Sequence, residues 1–278
     1  MTTLVAAAAP FGRDLEECYA RIERIAATAR SAGAELLVLP EAALGGYLAD
    51  LHAPGERPGM PPILDLDGPE VARVRAIAGD LVVTFGICEG DGPLRYNSAV
   101  ALHGDGILGV HRKVHQPLRE GVAYSAGGSF AAFDTPVGRM GMMICYDKAF
   151  PEAARTLALD GAEVVACMSA WPAARTAASP DLAEDRWTRR FDLFDQARAL
   201  ENQVVWVSAN QSGTFGTMRF VASAKVVGPG GDVLATTGVR EGLAIASLDV
   251  QAAVSAARRG MFHLQDRRPD AYEVLARA

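Results

Sequence analysis

The sequence contains few cysteines and histidines, and neither residue type is clustered. Four cysteines occur in 278 residues, at positions 18, 88, 145 and 167, and no two of them form a C-x-x-C pair. This spacing argues against a zinc site and against a disulfide framework. The five histidines are scattered, whereas a zinc amidohydrolase needs clustered histidine ligands. We therefore expect no metal in the site and a reducing, cytoplasmic environment.

Long apolar runs and runs of positive charge are also missing. No stretch reaches the length of a membrane span, and the apolar N-terminus lacks a positive region and is broken by Pro10, unlike a signal peptide. The net charge of -6, without a Lys/Arg-rich run, argues against nucleic acid or an anionic membrane as partner. The glycine pairs at 127–128 and 230–231 lack a phosphate-binding pattern. We expect a small-molecule substrate and no cofactor.

Apolar runs and helical spacing alternate along the chain. A strand at 4–8, a helix between Asp14 and Gly33 and a strand at 35–39 predict an opening β-α-β unit. The next part of the chain predicts a Pro- and Gly-rich loop at 50–68, a helix at 69–78, a hairpin at 96–111 and a second β-α-β unit at 140–168. A helix follows at 185–202, with Phe191, Phe194, Ala197 and Leu200 on one side. The last predicted elements are strands at 204–209 and 243–248 and a hairpin at 223–235. With 50% hydrophobic residues the chain can bury a large core, and we expect an α/β fold.

The apolar run that ends at Ile144 delivers Cys145 into a short polar turn, and Pro151 then starts a helix. A thiol between a strand and a helix can be partly open to solvent and can lie near helix-end amides or cations that favour the thiolate. Cys145 is therefore a candidate nucleophile. The alternative is a buried, inert cysteine, which is common in apolar runs.

Two charged residues follow other predicted strands. Glu41 lies just past the carboxyl end of the strand at 35–39, the edge at which α/β sheets bind ligands, so it is a candidate base. The alternative is a solvated loop glutamate. Lys113 ends a predicted hairpin and, taken alone, is interpreted as a surface lysine. His111 and His115 flank it, but their spacing on a strand-to-loop stretch does not indicate a metal pair.

Three motifs stand at the ends of predicted strands: Leu39-Pro40-Glu41, His111-Arg112-Lys113 and Ile144-Cys145-Tyr146-Asp147. In this order, and with further matches at 197–202, 228–231 and 266–269, they resemble the nitrilase (carbon-nitrogen hydrolase) superfamily over nearly the whole chain. The resemblance implies one domain over residues 1–278, an α/β fold built as a four-layer α-β-β-α sandwich with two mixed sheets. It also implies a homodimer or higher homo-oligomer, paired through the helix after the cysteine and the long helix, with residues 260–278 as an extension at the interface.

The resemblance also implies roles for the marked residues. Cys145 is the nucleophile that forms a thioester, and Glu41 is the base that shuttles protons. Lys113 holds the oxyanion together with the backbone N–H of Tyr146, and Glu120 orients the lysine or the substrate. The implied activity is hydrolysis of a non-peptide carbon–nitrogen bond in a small amide or N-carbamoyl compound. The alternative activity is that of a nitrilase, which converts a nitrile to a carboxylic acid and ammonia.

The substrate pocket is less clearly marked in the sequence. The candidates to line it are Tyr47, Tyr146, Asp147, Trp171 and Trp187, and each of them can equally serve core or surface packing. The Cys-Tyr-Asp context is similar to amidase and carbamoyl-amide branches, whereas typical nitrilases show Cys-Trp-Glu. A binding module that keeps the fold without activity is another hypothesis. The intact Glu41, Lys113 and Cys145 argue against it.

Overall fold

Five helices and fourteen strands are formed within residues 1–53 and 59–276, which a computed structural model of the chain describes. The helices are α1 (Leu15–Ser31), α2 (Pro69–Ala78), α3 (Pro151–Leu159), α4 (Arg186–Asn202) and α5 (Val250–Gly260). The strands are β1 (Thr2–Ala9), β2 (Leu36–Val38), β3 (Val82–Asp91), β4 (Leu94–His103), β5 (Gly106–Arg112), β6 (Ala132–Thr135), β7 (Gly138–Ile144), β8 (Val164–Ser169), β9 (Val205–Gln211), β10 (Thr214–Phe215), β11 (Met218–Arg219), β12 (Lys225–Val227), β13 (Val233–Thr236) and β14 (Gly242–Leu248). No helix within these ranges is long and apolar enough to cross a membrane. The middle of the loop predicted at 50–68 lies outside the described residues.

The helices begin close to where the sequence predicts, because capping acts over a few residues. Asp14 Oδ1 accepts a hydrogen bond from the Glu17 backbone N–H at 3.0 Å, and Asp185 Oδ1 caps α4 through the N–H of Trp187 at 2.8 Å. Pro151 occupies the first turn of α3, where its missing N–H has no helical partner to lose. The predicted bounds of α2 and the predicted start of α3 at Pro151 are confirmed.

Twelve of the strands are hydrogen-bonded into one mixed sheet, while β10 and β11 form a separate pair. The main order is β5-β4-β3-β2-β1-β9-β8-β7-β6, with β14 paired to β1 and the β12–β13 hairpin paired to β9. Strands β1, β2 and β3 run parallel, and so do β7, β8 and β9. Parallel strands of this kind need crossover helices, as the two predicted β-α-β units require.

The sheet folds over so that its two halves enclose a shared core. Leu36 of one half and Met142 of the other belong to the same buried cluster. Helices α1 and α2 cover the outside of the β1–β3 half, and α3 and α4 cover the outside of the β7–β9 half. The α/β fold with a large mixed sheet is thereby confirmed. The expectation of two separate sheets is not confirmed, because the pairing of Ala8 with Asn210 joins β1 to β9 and makes the halves continuous.

Strand β6 is present in the structure, although the sequence pattern does not predict it. Its four residues pair antiparallel with β7, and Thr135 Oγ1 donates a hydrogen bond to the Gly138 carbonyl at 2.6 Å. So short a strand carries too little alternation to be recognised from sequence, and its pairing with β7 decides its conformation. The short β10–β11 pair after β9 is likewise present in the structure without being predicted from the sequence.

Helices α3 and α4 and the C-terminal tail border a groove of about 760 Å³. Leu200 of α4 and Tyr272 of the tail lie on its wall, and Leu200 is 47% exposed, although the helical pattern predicts it on a buried side. This is the face through which the resemblance predicts two protomers to pair. The homodimer, the single domain and the role of the extension stay predictions.

All three lysines of the sequence are buried, and two of them share one carboxylate. Asp195 on α4 accepts hydrogen bonds from Lys148 Nζ at 2.7 Å, from Lys225 Nζ at 2.8 Å and from Trp206 Nε1 at 2.9 Å. Burial by itself would raise the pKa of Asp195, but the two ammonium groups outweigh it and hold that pKa below its ordinary value. These contacts fasten α4 to β12 and to the turn after β7.

We expect Asp195→Asn to lower the free energy of unfolding by about 3–5 kcal/mol, because buried Lys148 loses the carboxylate that it contacts and Lys225 keeps, among the described residues, only the carboxylate of Asp192. Urea denaturation at neutral pH measures the change. Because the folded pKa of Asp195 is lowered, its stabilising contribution is present at neutral pH and is lost as the pH falls through that pKa. Asp134→Asn is the control, since Asp134 is 88% exposed in its contact with Arg139. Equal losses in the two variants would contradict the prediction.

Candidate active site

Four charged or nucleophilic side chains predicted from the sequence converge near the ends of strands from both halves of the sheet. Glu41 follows β2, Lys113 follows β5 and Cys145 follows β7, while Glu120 begins a 3-10 turn at Glu120–Val122. Glu41, Lys113 and Glu120 have no exposed surface, and Cys145 is 4% exposed. The structure therefore brings together all four residues for which the resemblance implies catalytic roles.

Lys113 lies between two carboxylates. Its Nζ is 2.8 Å from Glu41 Oε1 and 2.7 Å from Glu120 Oε2. Asn97 Nδ2 donates to the same two groups, at 2.6 Å to Glu41 Oε1 and 2.8 Å to Glu120 Oε1. Sequence reasoning missed Asn97, although a polar residue at the start of the apolar alternation in β4 was a usable signal. The four side chains form one buried hydrogen-bonded cluster.

The backbone around Glu41 is fixed from several directions. Its second oxygen accepts the Ala170 N–H at 2.7 Å, and its carbonyl accepts from Gln211 Nε2 at 2.9 Å. Gly86 of β3 lies directly behind the turn, where a Cβ atom would stand 2.1 Å from the Ala42 nitrogen. Only glycine allows so close an approach. Strands β3, β8 and β9 therefore all help to position this carboxylate.

The charges of the cluster depend on one another. Burial lowers the pKa of Lys113, but the charges of Glu120 and Glu41 outweigh burial and raise it above its ordinary value, so the amine is an ammonium group. Burial raises the pKa of Glu120, and Glu41 adds to that rise while Lys113 opposes it. The pKa values of Lys113 and Glu120 therefore depend on each other.

Cys145 occupies a strained position at the end of β7. Its φ is +50°, an uncommon value for a residue with a side chain, and it opens a 3-10 turn over Cys145–Ala149. Burial, and then the charge of Glu41, raise the pKa of its thiol well above the ordinary value, although Lys113 acts in the opposite direction. The expectation of a partly open site that favours the thiolate is wrong for the resting protein, because desolvation outweighs the nearby cation.

Asp147 holds the turn that presents Cys145. Its carboxylate accepts the backbone N–H of Ile144 at 3.1 Å and that of His115 at 2.9 Å. His111 Nε2 and His115 Nδ1 lie 3.0 and 2.9 Å from its two oxygens. Burial raises the pKa of Asp147, but the hydrogen bonds from the two histidines outweigh it and bring the pKa well below the ordinary value. His111 in β5 and His115 just after it thus anchor this turn.

A cavity of about 570 Å³ opens above Cys145. It is lined by Tyr47, Leu51, His52, Pro117, Leu118, Cys145, Tyr146, Ala149, Ala170, Trp171, Pro172, Ala173, Arg175, Thr176, Arg186, Trp187, Arg190, Phe194 and Met218. Four of the five predicted substrate-binding residues are on this wall, and Asp147 is not. Glu41, Lys113 and Glu120 lie behind the wall, with Lys113 Nζ 5.5 Å from the centre of the Tyr47 ring. Cys145 therefore lies between the charged cluster and the cavity.

No group of three or more His, Cys, Asp or Glu side chains is placed to hold a metal ion within residues 1–53 and 59–276. The side chains around the cavity and in the cluster behind it include a thiol, and a carboxylate in contact with a cation. Acyl-transfer chemistry uses groups of these kinds.

The fold and the site define an α/β protein with a cavity-facing cysteine next to a buried acid–base cluster. The chain belongs to the carbon-nitrogen hydrolase family, which it matches over residues 4–258. Its relatives include a nitrilase from Pyrococcus abyssi, 30% identical over 84% of this chain and 83% of the relative. An N-carbamoylputrescine amidase from Solanum lycopersicum is 29% identical over 94% of this chain and 90% of the relative.

The solved structures to which the chain is similar include an amidase. A mutant of the Nesterenkonia sp. AN1 amidase from the nitrilase superfamily matches with a TM-score of 0.78 and 25% identity, over 99% of this chain and 97% of that chain. In another structure of that amidase, the acetamide moiety of fluoroacetamide is attached covalently at the active-site cysteine. The predicted membership of the nitrilase superfamily is confirmed. Because the relatives include both amidases and a nitrilase, membership alone does not select the bond that is cleaved.

Glu41→Gln is expected to lower the apparent pKa at which iodoacetamide alkylates Cys145. The substitution removes a negative charge that raises the thiol pKa and leaves the Lys113 cation in place. Mass spectrometry of the labelled protein across a pH series measures the midpoint. Glu35→Gln is the control, because Glu35 is exposed at the entry to β2. A midpoint equal to that of the unchanged protein would show that Glu41 does not control the thiol.

Proposed function

We propose that this protein hydrolyses an amide-type carbon–nitrogen bond in a small substrate, a primary amide or an N-carbamoyl compound, through a thioester on Cys145. The observation that carries the proposal is the buried contact of Glu41, Lys113 and Glu120 directly behind a cysteine that faces a cavity. Attack on an amide needs a nucleophile, a proton shuttle and an oxyanion site. The N-carbamoylputrescine amidases among the relatives support an amide substrate.

The first half of the reaction exchanges nitrogen for sulfur on the carbonyl carbon. Because the resting thiol is protonated, Glu41 removes its proton as Sγ bonds to the carbonyl carbon and the carbonyl π electrons move to oxygen. Glu41 then gives that proton to the leaving nitrogen, the carbon–nitrogen bond breaks and ammonia or an amine departs. In the second half Glu41 takes a proton from water, whose oxygen attacks the thioester. The carbon–sulfur bond breaks and Glu41 returns the proton to Sγ, which restores the thiol and releases a carboxylic acid, or carbamic acid from an N-carbamoyl substrate.

Lys113 and the backbone N–H of Tyr146 hold the oxyanion in both halves. An ammonium group has three donors, and Lys113 uses two of them for Glu41 and Glu120, which leaves the third for the substrate oxygen. The Tyr146 N–H belongs to the first turn after Cys145, where backbone donors lack a partner within the helix. Charge that develops on the substrate oxygen thus meets donors already in position.

Lys113→Ala is expected to lower kcat by roughly a hundredfold or more, because the oxyanion contact acts mainly in the transition state. Lys113→Arg is not expected to restore the rate, since a planar guanidinium group does not fit the position of an ammonium group between two carboxylates. Steady-state kinetics on a hydrolysed amide measures both variants, with Cys145→Ala as the inactive baseline. Lys225→Met controls for the loss of a buried lysine away from the cavity. A change confined to KM would show that Lys113 only binds substrate.

Amides are expected to be hydrolysed in preference to nitriles. An amide carbonyl forms an oxyanion in the first step, which Lys113 and the Tyr146 N–H hold, whereas a nitrile forms a thioimidate without one. The Cys145-Tyr146-Asp147 context also resembles the amide branches. Values of kcat/KM for amide and nitrile pairs with the same side chain measure the preference. A nitrile favoured by roughly tenfold or more would support the alternative, a nitrilase, as the P. abyssi relative is named.

A further inference from the structure

The outer part of the cavity wall carries three arginines and, among the described lining residues, no carboxylate. Arg175, Arg186 and Arg190 all lie on this wall, and each is exposed to solvent. The carboxylates of Glu41 and Glu120 do not offset them, because both are fully buried behind the wall and paired with a lysine. The wall that a substrate meets on entry is therefore positively charged.

Helix α4 presents two of the three arginines. Arg186, Arg190 and Phe194 are spaced by four residues, so they lie along one side of the helix, and all three line the cavity. Arg190 is one turn, about 6 Å, from Phe194 along the helix axis. Phe194 is half-buried and its ring centre lies 6.1 Å from that of Trp171. This side of α4 thus passes from an aromatic interior to a cationic mouth.

Only one of the three arginines has a carboxylate partner within residues 1–53 and 59–276. Arg175 Nη1 lies 3.2 Å from Asp50 Oδ1, whereas Arg186 Nη2 donates to the hydroxyl of Thr176 at 2.9 Å. Arg190 makes neither an ion pair nor a side-chain hydrogen bond in that part of the chain. Two guanidinium groups at the mouth are therefore not neutralised by these residues, and a guanidinium group binds carboxylates bidentately.

The wall between the mouth and Cys145 is apolar. Leu51, Trp171, Trp187 and Met218 contribute to it, and the Trp171 and Trp187 ring centres are 5.9 Å apart. Such an apolar wall binds a hydrocarbon chain or ring and offers few polar partners to a charged group. The cavity therefore has three sections in order: the nucleophile, an apolar middle and a cationic mouth.

We propose that the substrate is an anionic amide, in which an apolar chain or ring separates the scissile amide from a carboxylate. This proposal rests on the amide hydrolysis proposed above. The amide carbon lies against Cys145, the apolar section lies against the tryptophans, and the carboxylate binds Arg190 and Arg186. A substrate with an ammonium group in place of the carboxylate is repelled by the same arginines, so the site selects substrates by charge.

The test compares ammonia release from three amides of equal chain length. Adipamate ends in a carboxylate, hexanamide in a methyl group and aminovaleramide in an ammonium group. We expect kcat/KM for adipamate to exceed that for hexanamide by roughly tenfold or more, and aminovaleramide to be the poorest substrate. Added salt is expected to reduce the differences in kcat/KM between the three amides, because it screens exposed charges. N-carbamoyl-aminobutyrate carries its carboxylate on the leaving amine, and its rate relative to adipamate shows on which side of the scissile bond the arginines bind.

Substitutions of two neighbouring arginines on α4 distinguish the effect of an arginine on the cavity wall from the effect of general surface charge. Arg190→Gln is expected to lower kcat/KM for adipamate roughly tenfold more than that for hexanamide. Arg190→Glu is expected to reverse the preference between adipamate and aminovaleramide. Arg189→Gln is the matched control, because Arg189 is exposed, lies off the cavity wall and pairs with Glu184. It should keep the preference of the unchanged protein.

Equal kcat/KM values for the three amides would overturn the anionic-substrate proposal and leave amide hydrolysis standing. If no amide is hydrolysed, the proposed function fails, and calorimetric binding to Cys145→Ala decides the charge selection separately. Tighter binding of adipamate than of the other two amides, weakened by Arg190→Gln but not by Arg189→Gln, supports the anionic ligand. Equal binding of the three amides, or binding of none, overturns it.

Discussion

Lys113 holds the site together, because its ammonium group lies between two carboxylates that are as fully buried as it is. Removing three charged side chains from water is costly, and the cluster is stable only while each charge keeps its partners. Lys113 contacts Glu41 and Glu120 from one direction, and Asn97 bridges the same carboxylates from another. The strands that carry these residues are therefore held in one relative position. Acid–base chemistry depends on such fixed geometry, since small displacements of reacting groups lower the rate strongly.

The burial that makes this cluster rigid also sets the resting state of Cys145. Desolvation and the charge of Glu41 raise the pKa of the thiol, so the proposed nucleophile is protonated in the resting protein. Glu41, the base in the proposed reaction, is held in place by Lys113, Asn97 and the Ala170 N–H. Cys145 faces the cavity, and the charged cluster lies behind it with no exposed side-chain surface, so protein atoms separate the cluster from bulk water. Charges in such a site act more strongly than they do in water.

Helix α4 shows how one element serves both the core and the cavity. One side fastens the helix through Asp195, which is shared by two buried ammonium groups, and another side presents Arg190 to the cavity. The apolar pattern predicts Phe191, Phe194, Ala197 and Leu200 on one side of the helix, and of these Phe191 is fully buried. In the structure Leu200 is 47% exposed and Asp195 is buried, because an ion cluster replaces apolar contacts at this position. Charged residues can thus occupy the core where complementary charges meet them.

Local sequence determined the capped ends of the helices and the strand ends that carry Glu41, Lys113 and Cys145, because caps, prolines and apolar runs act over a few residues. The family motifs also predicted membership of the carbon-nitrogen hydrolase family, which the match over residues 4–258 confirms. The pairing of β1 with β9, which joins the two halves into one continuous sheet, was decided by the tertiary structure. The bridging contacts of Asn97 and the raised pKa of Cys145 were likewise decided by tertiary structure. Both depend on charges that distant segments bring together, and on the exclusion of water, which no local pattern encodes.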